Sequence, residues 1–240
     1  MKNWAIWMLV AAVALMVVPA AYADGTTVNA YFVGATGTND GHYYVGPYVG
    51  IVGGQQVTLY CVDFNNDVTK GQTWVANETP MSGDLSNTRY GNAANVAQLT
   101  LTDPYYSLYT PTQLYEQAAW LTTQYAQFMS DPNYLSNPTD VNAIIAIQYA
   151  IWDLFDPQAP TNGAAAAWIL SAEQNYGSIN PSGFLILTNT APVNLSGQVQ
   201  EFIITTPEPE TLPMFAAGLL ALGLLMRRKS ANAKLQQEAV

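Results

Sequence analysis

The only cysteine of the sequence, Cys61, is the first candidate for chemistry, because a thiolate is a strong nucleophile. It lies in a segment of alternating residues in which Val57, Leu59 and Cys61 share one face of a predicted strand. One cysteine cannot form an intrachain disulfide. Its thiol is therefore buried and inert, paired with another chain, or chemically committed.

Gln148 holds the corresponding position on a predicted helix, Asp140 to Phe155. It fills the middle of the apolar stripe of this helix, where the period of the pattern calls for a hydrophobic residue. An unpaired buried carboxamide costs about 1–3 kcal/mol, so we expect Gln148 to have a partner. A lone inward-pointing amide and a lone inward-pointing thiol each suggest the other as that partner. The stripe consists of Val141, Ile144, Ile145, Ile151, Trp152 and Phe155.

Two short motifs, Tyr60-Cys61-Val62-Asp63 and Ile147-Gln148-Tyr149-Ala150-Ile151-Trp152, resemble those of bacterial thioester domains, which occur in surface adhesins. The resemblance spans roughly residues 57–155. It implies that the Cys61 sulfur attacks the side-chain carbonyl of Gln148, that ammonia leaves, and that an intramolecular thioester remains. We therefore expect a thioester between Cys61 and Gln148.

A thioester is an activated acyl group that an amine or a hydroxyl opens, giving a covalent amide or ester. It survives only where water is excluded, a role that we expect of Tyr60, Ile151 and Trp152. Such chemistry attaches the protein once to a molecule bearing an amine or a hydroxyl, so the chain is not predicted to be an enzyme. No base is evident, because the only histidine, His42, has no motif around it and is typical of a surface residue.

Several alternatives to the thioester remain open at this stage. Cys61 could be a small buried hydrophobe, with Gln148 bonded to a backbone carbonyl, or it could pair with a second chain. Gln117 is a rival acyl donor, although it lies at the margin of its own predicted helix. A secreted hydrolase would need a carboxylate pair in a cleft, and Asp153 and Asp156 are more simply explained as the end of a helix.

No metal site or cofactor is predicted. The acidic segment from Asp63 to Asp67 lacks the glycine and the terminal glutamate of a dedicated calcium loop, so it is interpreted as a solvated turn. Zinc-ligand spacings, a phosphate-binding glycine loop and a Ser/His/Asp set are also missing from the sequence.

The pattern around these residues predicts an α+β domain with strands at both ends and helices inserted between them, the strands forming a sandwich or a barrel. Gly53-Gly54 is a suitable two-residue hairpin turn, and Thr139 is a suitable N-cap of the helix that carries Gln148. Predicted strands cover residues 28–33, 43–52, 56–64, 73–76, 184–187 and 199–204. The periodicity becomes helical from about residue 93, with helices predicted over residues 112–129, 140–155 and 162–176.

The N-terminus has the pattern of a secretory signal peptide. Lys2 precedes an apolar run, Trp4 to Val18, and Ala21-Tyr22-Ala23 is the small-x-small pattern that signal peptidase cleaves. We expect cleavage after Ala23, which leaves 24–205 as the exported domain. A retained N-terminal anchor is the alternative.

The exported domain is strongly acidic. Between Asp24 and Thr206 the sequence has 14 acidic residues and two basic ones, Lys70 and Arg89, a formal charge of −12. Nucleic acids and anionic membranes demand Lys and Arg, so neither is expected as a partner.

The C-terminus has three features in a fixed order. Thr206-Pro207-Glu208-Pro209-Glu210 is an extended spacer, Leu212 to Met226 is apolar, and Arg227-Arg228-Lys229 is basic. The apolar run is shorter than the ~20 residues of an ordinary spanning helix, and the basic cluster should stay cytoplasmic. A plain C-terminal anchor helix would share these features.

This order resembles the PEP-CTERM sorting signal, with Pro207, Glu208, Pro209, Arg227 and Arg228 as its motif residues. The resemblance implies a Gram-negative bacterial protein whose signal, 206–229, is cut by an exosortase. The protein would first be held in the inner membrane by its C-terminal helix and would then reach the cell surface or the extracellular matrix of a biofilm. The polar extension 230–240 departs from the family pattern and puts the efficiency of processing in doubt.

Overall fold

Six antiparallel strands form a closed barrel in the order β1-β2-β3-β6-β5-β4 in the computed structural model, which describes residues 25–102, 108–156, 159–160, 163–190 and 198–206. The first four strands come consecutively in the chain, and the last two return after the helices to close the barrel. The strands are β1 (Thr26–Ala35), β2 (Tyr48–Val52), β3 (Gln55–Cys61), β4 (Thr73–Pro80), β5 (Phe184–Asn189) and β6 (Phe202–Thr205).

The hairpin between β2 and β3 turns at Gly53 and Gly54, as the sequence predicts. Their φ angles are +57° and +85°, the left-handed values that a two-residue hairpin turn requires and that glycine adopts without strain. The predicted start of β2 is wrong, because the strand begins at Tyr48 and not at Tyr43. Gly46, with φ of +88°, bends the chain just before the strand.

Aromatic rings fill the barrel. Tyr48 packs edge-on against Phe32 and Phe202, with ring centroids 5.6 and 6.3 Å apart. Trp74 lies 6.0 Å from Phe202 on the other side. These side chains come from β1, β2, β4 and β6. Their burial therefore joins the strands that precede the helices and the last strand into one core.

The helices lie between β4 and β5 in sequence, as predicted. They are α1 (Ala93–Thr102), α2 (Pro111–Met129), α3 (Pro138–Phe155) and α4 (Ala165–Asn175), and short 3-10 helices cover Leu85–Asn87, Tyr134–Ser136, Tyr176–Ser178 and Pro181–Gly183. α2, α3 and α4 pack against one another, and α3 also contacts β3. The mixed helix and strand fold is thus confirmed.

Helix α3 begins earlier than its apolar pattern indicates. Asn137, not Thr139, is the N-cap, and its side chain accepts a hydrogen bond from the Thr139 backbone N–H at 3.1 Å. Pro138 occupies the first helical position, where its missing N–H costs nothing. The helix therefore includes Pro138 and begins two residues before its predicted start at Asp140.

Ala23–Thr206 makes up one compact unit, to which all of the described residues belong. The predicted signal peptide and the sorting signal at 206–229 lie outside the described residues, except for Thr206. Within the described part of the chain, no helix combines the length and the apolar character needed to span a membrane.

Candidate functional site

Cys61 and Gln148 lie next to each other, although 87 residues separate them in sequence. Cys61 is the last residue of β3, where it pairs with Phe202 of β6. Gln148 lies in the middle of α3, the helix that packs on this end of β3. Both side chains have no exposed surface.

The Gln148 amide bridges a strand and a second helix. Its Nε2 donates a hydrogen bond to the backbone carbonyl of Cys61 at 2.8 Å. Its Oε1 accepts one from the Tyr125 hydroxyl of α2 at 3.1 Å. The buried amide therefore has a partner at each end, as the cost of an unpaired amide requires. Cys61, Tyr125 and Gln148 are called the amide site below.

The Cys61 thiol is held by the backbone of the residues that follow it. Its Sγ donates to the Asp63 carbonyl at 3.1 Å and accepts from the Asp63 N–H at 3.4 Å. Complete burial raises the pKa of Cys61 to about 12. The thiol is therefore protonated at neutral pH.

The three residues expected to shield the thioester surround the amide site in different ways. Tyr60 stacks on Tyr125, with centroids 5.7 Å apart and planes 13° from parallel. Trp152, one turn after Gln148, is buried near the Cys61 sulfur, and Ile151 is fully buried beside it in the helix. Water is thus excluded from the amide by aromatic and aliphatic side chains.

A buried ionic cluster, formed by Asp63, Arg89 and Glu201, adjoins the amide site. Arg89, one of two basic residues in the domain, is 1% exposed and forms an ion pair with Asp63. Its backbone N–H also donates to the Glu201 carboxylate at 2.7 Å. Neither carboxylate has exposed surface, so the cation offsets a large cost of burying charge.

Neutral donors complete the pairing of the two carboxylates. Glu201 accepts hydrogen bonds from the hydroxyls of Tyr115 and Thr188. Asp63 accepts from the Asn66 amide at 2.9 and 3.0 Å and from the Tyr90 hydroxyl at 3.3 Å. Each buried oxygen therefore has at least one donor.

The ionic cluster fixes the chain that follows the thiol. Val62 donates its N–H to the Glu201 carbonyl at 3.0 Å, and Glu201 donates its N–H to the Asp63 carboxylate at 3.4 Å. Asp63 in turn holds the Cys61 sulfur through its backbone. The cluster thus sets the position of the Cys61 sulfur through the Asp63 backbone and not through a charged group.

Sequence reasoning missed Tyr125, Arg89 and Glu201. Tyr125 has the spacing of a core residue, and nothing in its neighbourhood marks its hydroxyl. Arg89 offered a signal, because a rare basic residue in an acidic domain is a good candidate for a buried partner of carboxylates. Glu201 offered another, since it directly precedes the apolar run Phe202-Ile203-Ile204.

The interpretation of the segment Asp63 to Asp67 as a solvated turn fails at two positions. Asp63 and Asn66 are buried, because they belong to the ionic cluster and its hydrogen bonds. Across the described residues, no group of three or more His, Cys, Asp or Glu side chains is placed to hold a metal ion.

Gln117, the rival acyl donor, is fully buried and not marginal on its helix. The amide that contacts Cys61 is nevertheless that of Gln148. Asp153 and Asp156 end α3 as expected, yet burial and then the charge of Asp156 raise the pKa of Asp153 to about 6.

A cavity opens beside Trp152, and its wall includes His42 and residues of β1 and β2. The histidine is exposed, as its sequence context indicates. Neither Asp153 nor Asp156 lines this cavity, so the carboxylate pair of a hydrolase is not found there.

Comparison with known protein families, with curated proteins and with solved structures found no match to the chain.

Proposed function

We propose that this chain is an exported cell-surface or matrix protein whose domain forms an intramolecular thioester between Cys61 and Gln148. The observation that supports it is the Gln148 side chain, which is held between the Cys61 backbone and the Tyr125 hydroxyl in a fully buried site. Proximity of this kind replaces a bimolecular encounter and lowers the barrier to reaction.

Thioester formation would proceed by attack of the Cys61 sulfur on the side-chain carbonyl carbon of Gln148. The S–H and C–N bonds break, the S–C bond forms, and the thiol proton ends on the departing nitrogen, which leaves as ammonia. Negative charge develops on Oε1 during the attack, where the Tyr125 hydroxyl already donates a hydrogen bond. Tyr125 therefore stabilises the oxyanion.

The raised pKa of the Cys61 thiol makes this reaction slow. With a pKa of about 12, Cys61 has little thiolate at neutral pH. The proton must therefore leave the sulfur as the attack occurs. A slow reaction suits a bond that is made once during maturation.

Attachment to a target would reverse the activation. An amine or a hydroxyl of a neighbouring molecule adds to the thioester carbonyl, the C–S bond breaks, and the proton of the nucleophile passes to the sulfur. The product is a covalent amide or ester at residue 148 and a free Cys61 thiol. The protein is consumed in the reaction, so it is not an enzyme in this proposal.

For localisation we propose export through the signal peptide, transient anchoring in the inner membrane and cleavage by an exosortase near Pro207. Support comes from the order of the proline-glutamate spacer, the apolar run and Arg227-Arg228 in the sequence. The mass of the protein recovered outside the producing cells gives its C-terminal residue. An end near Pro207 supports the proposal, and a chain that still contains Arg227 contradicts it.

A second candidate, a non-covalent adhesion or matrix module, is favoured by the same contact. Both polar atoms of Gln148 have hydrogen-bond partners without any covalent bond to sulfur. In this alternative Gln148 joins α3 to β3 and Cys61 is an inert core residue.

Intact mass spectrometry separates the two candidates. The thioester protein is lighter by one ammonia than its sequence requires, and methylamine adds to it. Cys61→Ala and Gln148→Ala should each have the full sequence mass and should not react with methylamine. Gln117→Ala is the matched control, because it removes another buried amide and should retain the mass deficit.

Full mass in the wild type, with no methylamine adduct, would refute the thioester and support the non-covalent module. If Gln117→Ala loses the mass deficit and Gln148→Ala retains it, the acyl group belongs to Gln117 of α2, and the assignment to Gln148 is wrong.

A further inference from the structure

The cavity beside Trp152 has the size and lining of a ligand site. Its volume is about 670 Å³, within the range of about 300–1,000 Å³ typical of small-molecule sites. Six of its lining side chains are aromatic, and they are Phe32, Tyr43, Tyr44, Tyr48, Phe64 and Trp152. It is called the aromatic cavity below.

Two tyrosines of the aromatic cavity are left in contact with solvent. Tyr43 is 39% exposed and Tyr44 is 62% exposed. Adjacent exposed aromatic residues at the mouth of a cavity are unusual on a soluble surface and are common at binding sites. Neither of these exposed side chains is part of the buried core.

The loop that carries them is fixed. The Asp40 carboxylate accepts hydrogen bonds from the backbone N–H groups of His42 and Tyr43 at 2.8 and 2.7 Å, and a third from the Tyr149 hydroxyl of α3. Tyr48 donates its hydroxyl to the Tyr44 carbonyl at 2.6 Å. The tyrosines are therefore held in place before any ligand arrives, which lowers the entropic cost of binding.

Three rings of the cavity wall are fixed by their contacts with one another. Tyr43 lies edge-on to Phe64 and to Trp152, with centroids 5.3 and 6.1 Å away. Phe64 and Trp152 lie 5.2 Å apart. A rigid set of rings at different orientations offers aromatic faces to the C–H groups of a ligand.

The polar part of the aromatic cavity contains one acid and one lysine, Asp67 and Lys70, together with Thr69, Gln200 and His42. With histidine neutral, these side chains carry no net formal charge, whereas the domain as a whole carries −12. The lining therefore favours a neutral ligand that has hydroxyl groups to pair and C–H faces to pack.

We propose that the aromatic cavity binds a neutral saccharide chain, with a sugar ring packed on Tyr44 and Tyr43 and its hydroxyls paired by the polar residues of the wall. Sugar rings combine the two properties that this lining matches, apolar faces and a dense set of hydroxyl groups. The site goes beyond the proposed thioester and does not require it, since no lining residue supplies the sulfur or the amide.

The test is isothermal titration of the purified full-length protein with neutral hexasaccharides of glucose and of N-acetylglucosamine, in both α- and β-linked forms where they exist. We expect at least one to bind with a Kd in the range of about 10 μM to 1 mM. Tyr44→Ala should weaken binding about tenfold, as truncation of an aromatic anchor does. Tyr31→Ala is the matched control, because Tyr31 is 38% exposed but lies outside the aromatic cavity.

Cys61→Ala should bind the saccharide within a factor of about two of the wild type, which separates this site from the thioester. Two results would overturn the proposal. One is the absence of binding by every hexasaccharide at 10 mM, a concentration about tenfold above the weakest expected Kd. The other is an equal loss in Tyr31→Ala and Tyr44→Ala. Tighter binding of tetramethylammonium than of any saccharide, abolished by Asp67→Asn, would instead identify a cation cage.

Discussion

The ionic cluster and the amide site lie side by side at the end of β3, and they hold buried polar groups in opposite ways. In the ionic cluster, the Arg89 guanidinium pairs with Asp63, the Arg89 backbone N–H donates to Glu201, and neutral hydroxyls fill the remaining positions. In the amide site, the sulfur, the amide and the phenol are uncharged; the sulfur and the amide form two hydrogen bonds each, and the phenol donates one.

The contrast separates positioning from reactivity. Charged pairs resist displacement, because moving one partner strands the other in a medium of low polarity. Neutral groups held by one or two hydrogen bonds can change partners during a reaction at smaller cost. The ionic cluster therefore suits a fixed frame, and the amide site suits bond exchange.

Arg89→Met should give the largest effect, because it leaves the Asp63 carboxylate buried without its cation. We expect a loss of about 3–5 kcal/mol in the free energy of unfolding, measured by urea denaturation. Lys70→Met removes the exposed basic residue of the same domain and should change stability by less than about 0.5 kcal/mol. Equal effects of the two substitutions would mean that the ionic cluster has no special role.

Tyr125→Phe tests the amide site by removing the donor to Gln148 Oε1. The proposed thioester should form about 10²- to 10³-fold more slowly, which is the loss of rate seen in enzymes when one oxyanion donor is removed. The mass deficit of newly synthesised protein, followed over time, gives the rate. Tyr48→Phe also removes a buried tyrosine hydroxyl, here bonded to the Tyr44 carbonyl, and should leave the rate unchanged.

Glu201→Gln sharpens the comparison by making one member of the ionic cluster neutral. The amide oxygen can still accept from Tyr115 or Thr188, so we expect a smaller loss, about 1–3 kcal/mol. In the Arg89→Met background the same substitution should lower the free energy of unfolding by less than it does in the wild type. It then removes a buried negative charge from a cluster that has no cation. A double-mutant cycle in urea measures the difference, and strict additivity would contradict the pairing.

Asp153 shows how a half-buried carboxylate behaves when its nearest charged neighbour is another acid. Burial and then Asp156 raise the pKa of Asp153 from 3.8 to about 6, so the folded protein holds this proton more tightly than the unfolded chain does. The free energy of unfolding should therefore fall as pH rises from about 4 to 6. Asp153→Asn should flatten that fall by about 1 kcal/mol after allowance for solvent screening. An unchanged pH profile would refute the shift.

Much of the fold could be predicted because it depends on local signals. Gly53-Gly54 identified the hairpin, and the prolines with their apolar periods located α2 and α3 to within two residues at each end. The start of β2 was missed because residues 43–47 have strand-like composition but a glycine turn. The closure of the barrel by β6 could not be predicted, since pairing between distant strands leaves no local pattern.

The candidate site divides in the same way. Cys61 and Gln148 could be recognised because each departs from the apolar pattern around it. Cys61 places a thiol on a strand, and Gln148 places an amide in the apolar stripe of a helix. Arg89 and Glu201 meet only in three dimensions, across 112 residues of sequence. The role of Tyr125 depends on the rotation of one side chain, which sequence periodicity does not specify.

Closure of the barrel has a consequence for the order of assembly. Glu201 and β6 complete the wall around Cys61, and 138 residues separate Asp63 from Glu201. A chain that emerges from its N-terminus, at a ribosome or at a translocation channel, exposes its thiol until almost the whole domain has appeared. Throughout that interval Cys61 is open to oxidants and to other thiols. Pairing of β6, a late step in assembly, therefore ends the period in which Cys61 can be oxidised or can react with other thiols.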